Sequence, residues 1–143
     1  MIENLINLIR DNAGELIINN HAIKNEYKET VISETGNIIM SELKSEVSKL
    51  NIVELTEILK SNGNLSNNKI VLGIITKLSE CLSAKFELSN NDAEHISQNL
   101  IPAVIHQLIL KTNDPKDDSF NIQGLLSNLG GGDFIGMFKN FLS

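Results

Sequence analysis

The chain has 143 residues, 41% of them hydrophobic and 21% charged, which is enough for one domain with a core of its own and short for two. With 12 Lys and Arg against 18 Asp and Glu the formal net charge is -6, and Arg10 is the only arginine. A nucleic-acid binder draws affinity from neutralised phosphates and favours the arginine fork, so no nucleic acid is expected as a partner. The apolar runs Ile70 to Ile75 and Leu100 to Ile105 fall well short of the roughly 18 to 20 residues of a membrane span.

Met1 to Asn12 alternates apolar and polar residues, with Glu3 ahead of any basic one, so no charged n-region followed by an apolar h-region is present there. Cys81 is the only cysteine, which excludes an intramolecular disulfide and a multi-cysteine metal site. A cytoplasmic location is the expectation. The 19 asparagines are scattered among periodic apolar residues, not gathered in tracts, which weighs against a prion-like segment.

Taken in chain order, Ile2, Leu5, Ile6, Ile9, Ala13, Leu16 and Ile17 recur at steps of three and four, the face of a first helix that Gly14 bends or interrupts. Asn19, Asn20 and His21 break the pattern. Asn25 followed by Glu26 supplies a cap and a favourable charge for a long second helix carrying Val31, Thr35, Ile38, Ile39, Leu43, Val47 and Leu50. Asn51 and Glu54 resemble a capping box for a short third helix with Ile52, Leu55, Ile58 and Leu59, stopping near Asn62 and Gly63. A fourth helix uses Ile70, Val71, Ile74, Ile75, Leu78, Leu82 and Phe86. The fifth, capped by Asn91 with Glu94 three residues on, uses Ala93, Ile96, Leu100, Val104 and Leu108.

Pro102 lies inside that fifth pattern, where the missing donor and the ring clash predict a kink or a break. Asn113 to Ser119 is turn formers and charge, an exposed loop. Ile122, Leu125, Leu126 and Leu129 make a short sixth helix ended by Gly130, Gly131 and Gly132, and Asp133 caps a last one bearing Phe134, Met137, Phe138 and Phe141. No stretch of period-two alternation intervenes. The expectation is an all-α chain of about seven helices in one compact domain over residues 1–143, with 130–143 a glycine-hinged, Phe-rich terminal helix. Ile39, Leu43, Asn51, Ile52, Leu55 and Leu59 match Val104, Leu108, Asn121, Ile122, Leu125 and Leu129, each time a long helix followed by a short Asn-Ile helix. This reads either as a duplication giving two related helical hairpins or as a chance match of amphipathic pairs.

The stretch Phe86 to Gly132 has a Leu-Ser-Asn-Asn-Asp start, an Ile-Pro-Ala-Val core at Ile101 to Val104, an Asn-Asp-Pro loop at Asn113 to Pro115, and a Gly-Leu-Leu-Ser-Asn-Leu-Gly-Gly-Gly end from Gly124. It resembles the bacterial YidB-like proteins, a family of small all-helical domains, and Leu5 to Leu43 resembles their relatives in Bacteroidetes. The resemblance implies a compact helical fold and a bacterial, cytoplasmic origin. It implies no catalytic or binding residues. The family fold has been likened to homeodomain-type arrangements, but this chain lacks the basic recognition helix that DNA binding requires.

Chemistry is sparse. Asp92 and His95 form an i, i+3 pair, but His106 lies three turns on, about 16 Å along the axis, and His21 is distant in sequence, so no metal or cofactor is expected. Asp114, Asp117 and Asp118 lack the ligand alternation, the glycine and the terminal glutamate of a calcium loop. Gly130 to Gly132 precede a helix but are followed by Asp133 with no Lys-Ser or Lys-Thr pair, so a hinge explains them better than a phosphate loop. Cys81 beside an apolar stripe reads as a buried structural thiol. No nucleophile elbow or paired-carboxylate motif appears, and the expectation is that the chain is not an enzyme.

The Phe-rich terminus is the distinctive feature. Phe134, Phe138 and Phe141 share a helical face with Met137 beside it, a set suited to anchoring in a groove. That groove belongs either to the protein's own core, to a protein partner or second copy, or to a membrane surface, the last disfavoured because Lys139 is the only basic residue near it. The function expected is therefore a non-catalytic protein-interaction or scaffold module. Its rival is a carrier of an apolar small molecule or lipid held between helices.

Overall fold

The computed structural model describes residues 2–48, 65 and 68–113. The expected helices at 52–59, 122–129 and 134–141, the loop from Asp114 and the Gly130 to Gly132 hinge lie outside the described residues, as does one half of each repeat. Among the described residues all regular structure is helical, with no strand, as the periodicity requires. The count of about seven is corrected downward. Four α-helices lie among the described residues: α1 (Ile2–Asn12), α2 (Lys28–Ser48), α3 (Lys69–Lys85) and α4 (Asn90–Asn113).

The four helices pack in a ring in chain order, α1 on α2, α2 on α3, α3 on α4 and α4 back on α1. Ion pairs show the sense of α2 and α3. Glu34 early in α2 meets Lys85 in the last turn of α3 at 3.5 Å, and Glu42, two turns later, meets Lys77 at 2.5 Å, so the helices run antiparallel. Arg10 at the end of α1 holds Glu29 at the start of α2 at 2.8 Å. That hydrogen bond holds the Glu29 carboxyl below its ordinary range and raises the guanidinium. The chain's only arginine thus closes its first hairpin.

The predicted stripes fill the centre. Leu5, Ile9, Val31, Ile39, Ile74, Leu78, Leu82 and Leu100 are all 1% exposed or less, and each such aliphatic side chain contributes about 1.5–3 kcal/mol through burial. Thr35, also fully buried, donates its hydroxyl to the Val31 carbonyl at 2.8 Å, so its polar group is not stranded.

Gly14 does interrupt the first helix. The chain widens into a π-helical turn over Gly14–Ile18, where the Ala13 carbonyl accepts from both Ile17 N–H (2.8 Å) and Ile18 N–H (3.0 Å). The extra residue in the turn leaves Ile17 fully buried and Ile18 exposed. Two capping expectations are corrected. Asn25 is not a cap but part of a 3₁₀ turn, Asn25–Tyr27, preceded by Lys24 with no side-chain cap. The cap of α4 is Ser89, not Asn91: its hydroxyl accepts from Asp92 N–H at 3.1 Å and its carbonyl from Ala93 N–H at 2.9 Å. Ser89, Asn90 and Asn91 are all competent caps, and the buried phase of Ala93 and Ile96 selects the first. The cap of α3 is Asn68, accepting from Ile70 N–H (2.9 Å) and Val71 N–H (3.2 Å).

Pro102 does not break its helix, since α4 runs from Asn90 to Asn113 with the proline inside. Ile101, Val104 and Ile105 around it are 1% exposed or less, and that packing holds the helix through the lost backbone bond.

The α3–α4 connection ends α3 with the Leu82 carbonyl accepting from both Phe86 N–H (3.2 Å) and Leu88 N–H (3.3 Å), and with Glu87 at φ 61°. That φ lies in the left-handed region in which glycine is favoured at the end of a helix. Glu87 also meets Lys24 at 3.5 Å, but both side chains are more than half exposed, and such a pair contributes little. Glu87→Gly is therefore expected to stabilise the fold by up to about 1 kcal/mol. A lowered urea midpoint would contradict the assignment of a left-handed cap. Beside this corner the rings of Tyr27 and Phe86 meet edge to face at 5.6 Å, joining the 3₁₀ turn to the end of α3.

Candidate functional site

Helix α3 buries one face in the core and turns the next toward α4, where its side chains are short. Ile75, Ser79 and Ser83 form one row at i, i+4, i+8, and Thr76, Glu80 and Ala84 the row beside it. Across from them Asn90, Glu94 and Gln98 form a matching row on α4. Together these nine residues line an open groove of about 630 Å³. The groove exists because serine and alanine stand where larger side chains would close the seam.

Polar groups are ordered along it. Ser83 Oγ donates to Asn90 Oδ1 at 3.2 Å, bridging the two helices at one end, and Thr76 Oγ1 donates to the Leu72 carbonyl at 3.0 Å at the other. Between them lie the carboxylates Glu80 and Glu94. The hydroxyl of Ser79 is buried and unpartnered, as is that of Ser97, which lies three residues beyond Glu94.

The residues weighed from sequence fall elsewhere. Phe134, Met137, Phe138 and Phe141 lie outside the described residues. His21 and His95 are exposed and His106 is half-buried, and His95 Nδ1 lies 3.5 Å from the Asn99 side-chain amide nitrogen. Among the described residues no three His, Cys, Asp or Glu side chains come close enough to hold a metal ion, and none of the helices there is long and apolar enough to cross a membrane.

Cys81 is half-buried against the core. Burial pushes its thiol above the ordinary cysteine range, with the Glu34 carboxylate adding to the rise and Lys85 opposing it. A thiol held neutral is a poor nucleophile. Iodoacetamide near pH 8 is therefore expected to alkylate Cys81 about tenfold more slowly in the folded chain than in urea, with the rate rising only at higher pH. Equal rates in the two states would contradict this environment.

The groove is what sequence reasoning missed. Its signal was the run of short or polar residues at i, i+4 spacing on the non-core side of α3, facing an equivalent row on α4. Comparisons with protein-family models, with curated proteins and with solved structures return no match, so the resemblance to YidB-like proteins rests on the motifs that carry it.

Proposed function

We propose that the chain is a non-catalytic helical protein-interaction module. The observation that carries this reading is the open, polar-rimmed groove along α3 and α4, set on a bundle whose interior is filled by aliphatic side chains. Grooves between helices are common docking sites for partner segments. Phe134, Met137, Phe138 and Phe141 supply a second contact in this reading, as apolar anchors for a partner or a second copy. A YidB-like fold with two related helical hairpins, in a bacterial cytoplasm, belongs to the same proposal and is supported by the Ile101 to Val104 and Gly124 to Gly132 motifs. The carrier alternative calls for an enclosed apolar chamber, whereas the groove is open and seven of its nine lining residues carry a hydroxyl, amide or carboxylate group, which favours the interaction reading.

The test is a native mass spectrum of the full chain isolated from its own source, alongside a chain ending at Gly130. The reading expects the full chain at an integer multiple of 15.8 kDa or joined to a second protein, with the shorter chain losing part of that assembly. A bare monomer in both samples, or a monomer carrying a stoichiometric apolar small molecule, would overturn it.

A further inference from the structure

We infer that the α3–α4 groove docks a basic segment of a partner protein, receiving its lysine or arginine side chains. The inference rests on the interaction reading above and adds the chemistry of the partner.

The groove carries two carboxylates among groups that can both donate and accept, the Asn90 and Gln98 amides and the unpartnered Ser79 hydroxyl. Thr76 and Ser83 have committed their hydroxyl hydrogens, to the Leu72 carbonyl and to Asn90 Oδ1, so what each still offers is lone pairs. Glu80 and Glu94 are acceptors only when ionised. The backbone adds one more. Pro102 has no N–H, which deprives the Gln98 carbonyl of its helical donor, and Gln98 is at the groove.

Among the described residues no lysine or arginine lines this groove. Two of the three lysines of α3 are drawn to its other side, Lys77 by Glu42 and Lys85 by Glu34, both on α2. Glu80 also acts on Lys77, but more weakly than Glu42 does. On α3, Lys77 and Lys85 thus face α2, while Glu80 lines the groove toward α4. The complement of two carboxylates is a group that carries N–H donors and positive charge, which describes an ammonium or a guanidinium. Ile75 and Ala84 supply apolar surface for the methylene stem of such a side chain. A nucleic acid or an anionic lipid surface would instead bring phosphates against Glu80 and Glu94.

The experiment is calorimetric titration of the full chain with an acetylated, amidated tetralysine peptide at low salt. It is run on the natural sequence, on Glu80→Gln with Glu94→Gln, and on Glu3→Gln with Glu26→Gln, which removes the same charge from exposed positions on other elements. The expected result is binding that weakens about tenfold in the groove variant and changes by less than about twofold in the control. Equal weakening in both variants would mean that net charge alone attracts the peptide, and would overturn the proposal. So would no binding by the natural sequence, or spermidine binding as tightly as the peptide. Absence of peptide binding while the native mass spectrum shows an assembly removes the basic-partner assignment and leaves the interaction reading standing. A bare monomer in that spectrum removes the broader reading.

Discussion

Leu78→Ala is expected to lower the unfolding free energy by about 3 kcal/mol, and the melting temperature by about 10 °C. Leu78 is fully buried midway along α3, between the fully buried Ile74 and Leu82, and α3 packs against both α2 and α4. Truncation removes its share of apolar burial and leaves a cavity that neighbours held on three helices cannot readily collapse into. Leu72→Ala on the same helix is the matched control, because Leu72 is 45% exposed and its loss should shift stability by less than about 0.5 kcal/mol. Urea unfolding followed by far-ultraviolet dichroism measures both. Similar losses for the two variants would mean that α3 is rotated from the orientation described.

Pro102→Ala should move stability the other way, by a gain of about 1–2 kcal/mol. A proline in a helix interior costs about 3 kcal/mol relative to alanine. Part of that cost is returned because proline restricts the unfolded chain. Since α4 is continuous across position 102, alanine restores the backbone bond to the Gln98 carbonyl without rearranging the helix. A loss of stability would show that α4 needs the distortion proline imposes. The same substitution supplies Gln98 with its donor, and it should therefore weaken tetralysine binding in the groove even as the fold becomes more stable. Opposite movement of stability and binding is a signature that a purely structural role for Pro102 would not give.

The core was legible in the sequence because burial repeats with the helical period. Ile70, Val71, Ile74, Leu78 and Leu82 on one helix and Ala93, Ile96, Leu100 and Val104 on the next are buried as their spacing requires. Boundaries were less legible where several neighbours can do the same job. Ser89, Asn90 and Asn91 can each cap a helix, and only the packing of Ala93 decides among them. The widened turn at Gly14 was foreshadowed by the glycine, but its π geometry depends on keeping Ile17 in the core while the chain turns toward α2. The groove was the least legible feature. Periodicity reports which face of each helix is apolar, whereas the groove depends on how α3 and α4 are rotated against each other. Attention drawn to Phe134 and Phe138 by their chemistry passed over Ser79, Ser83 and Glu94, whose significance is positional.

The positions of Lys77, Glu80 and Lys85 on α3 also bear on the acidic balance of the chain. A net charge of -6 taken alone speaks of solubility and of repulsion from phosphates. Its placement says more, since Glu42 and Glu34 on α2 pair with Lys77 and Lys85, while Glu80 and Glu94 line the α3–α4 groove and no salt bridge to either is seen among the described residues. That asymmetry is what the proposed docking of a basic segment rests on.

The most direct test of that docking is a proton–nitrogen correlation spectrum of the isotopically labelled full chain, recorded as tetralysine is added. The account predicts shifts concentrated at Thr76, Glu80, Ser83, Asn90, Glu94 and Gln98, in one contiguous patch across α3 and α4. Shifts spread evenly over Glu3, Glu15, Glu26 and the other exposed acids, or no shifts at all, would contradict it.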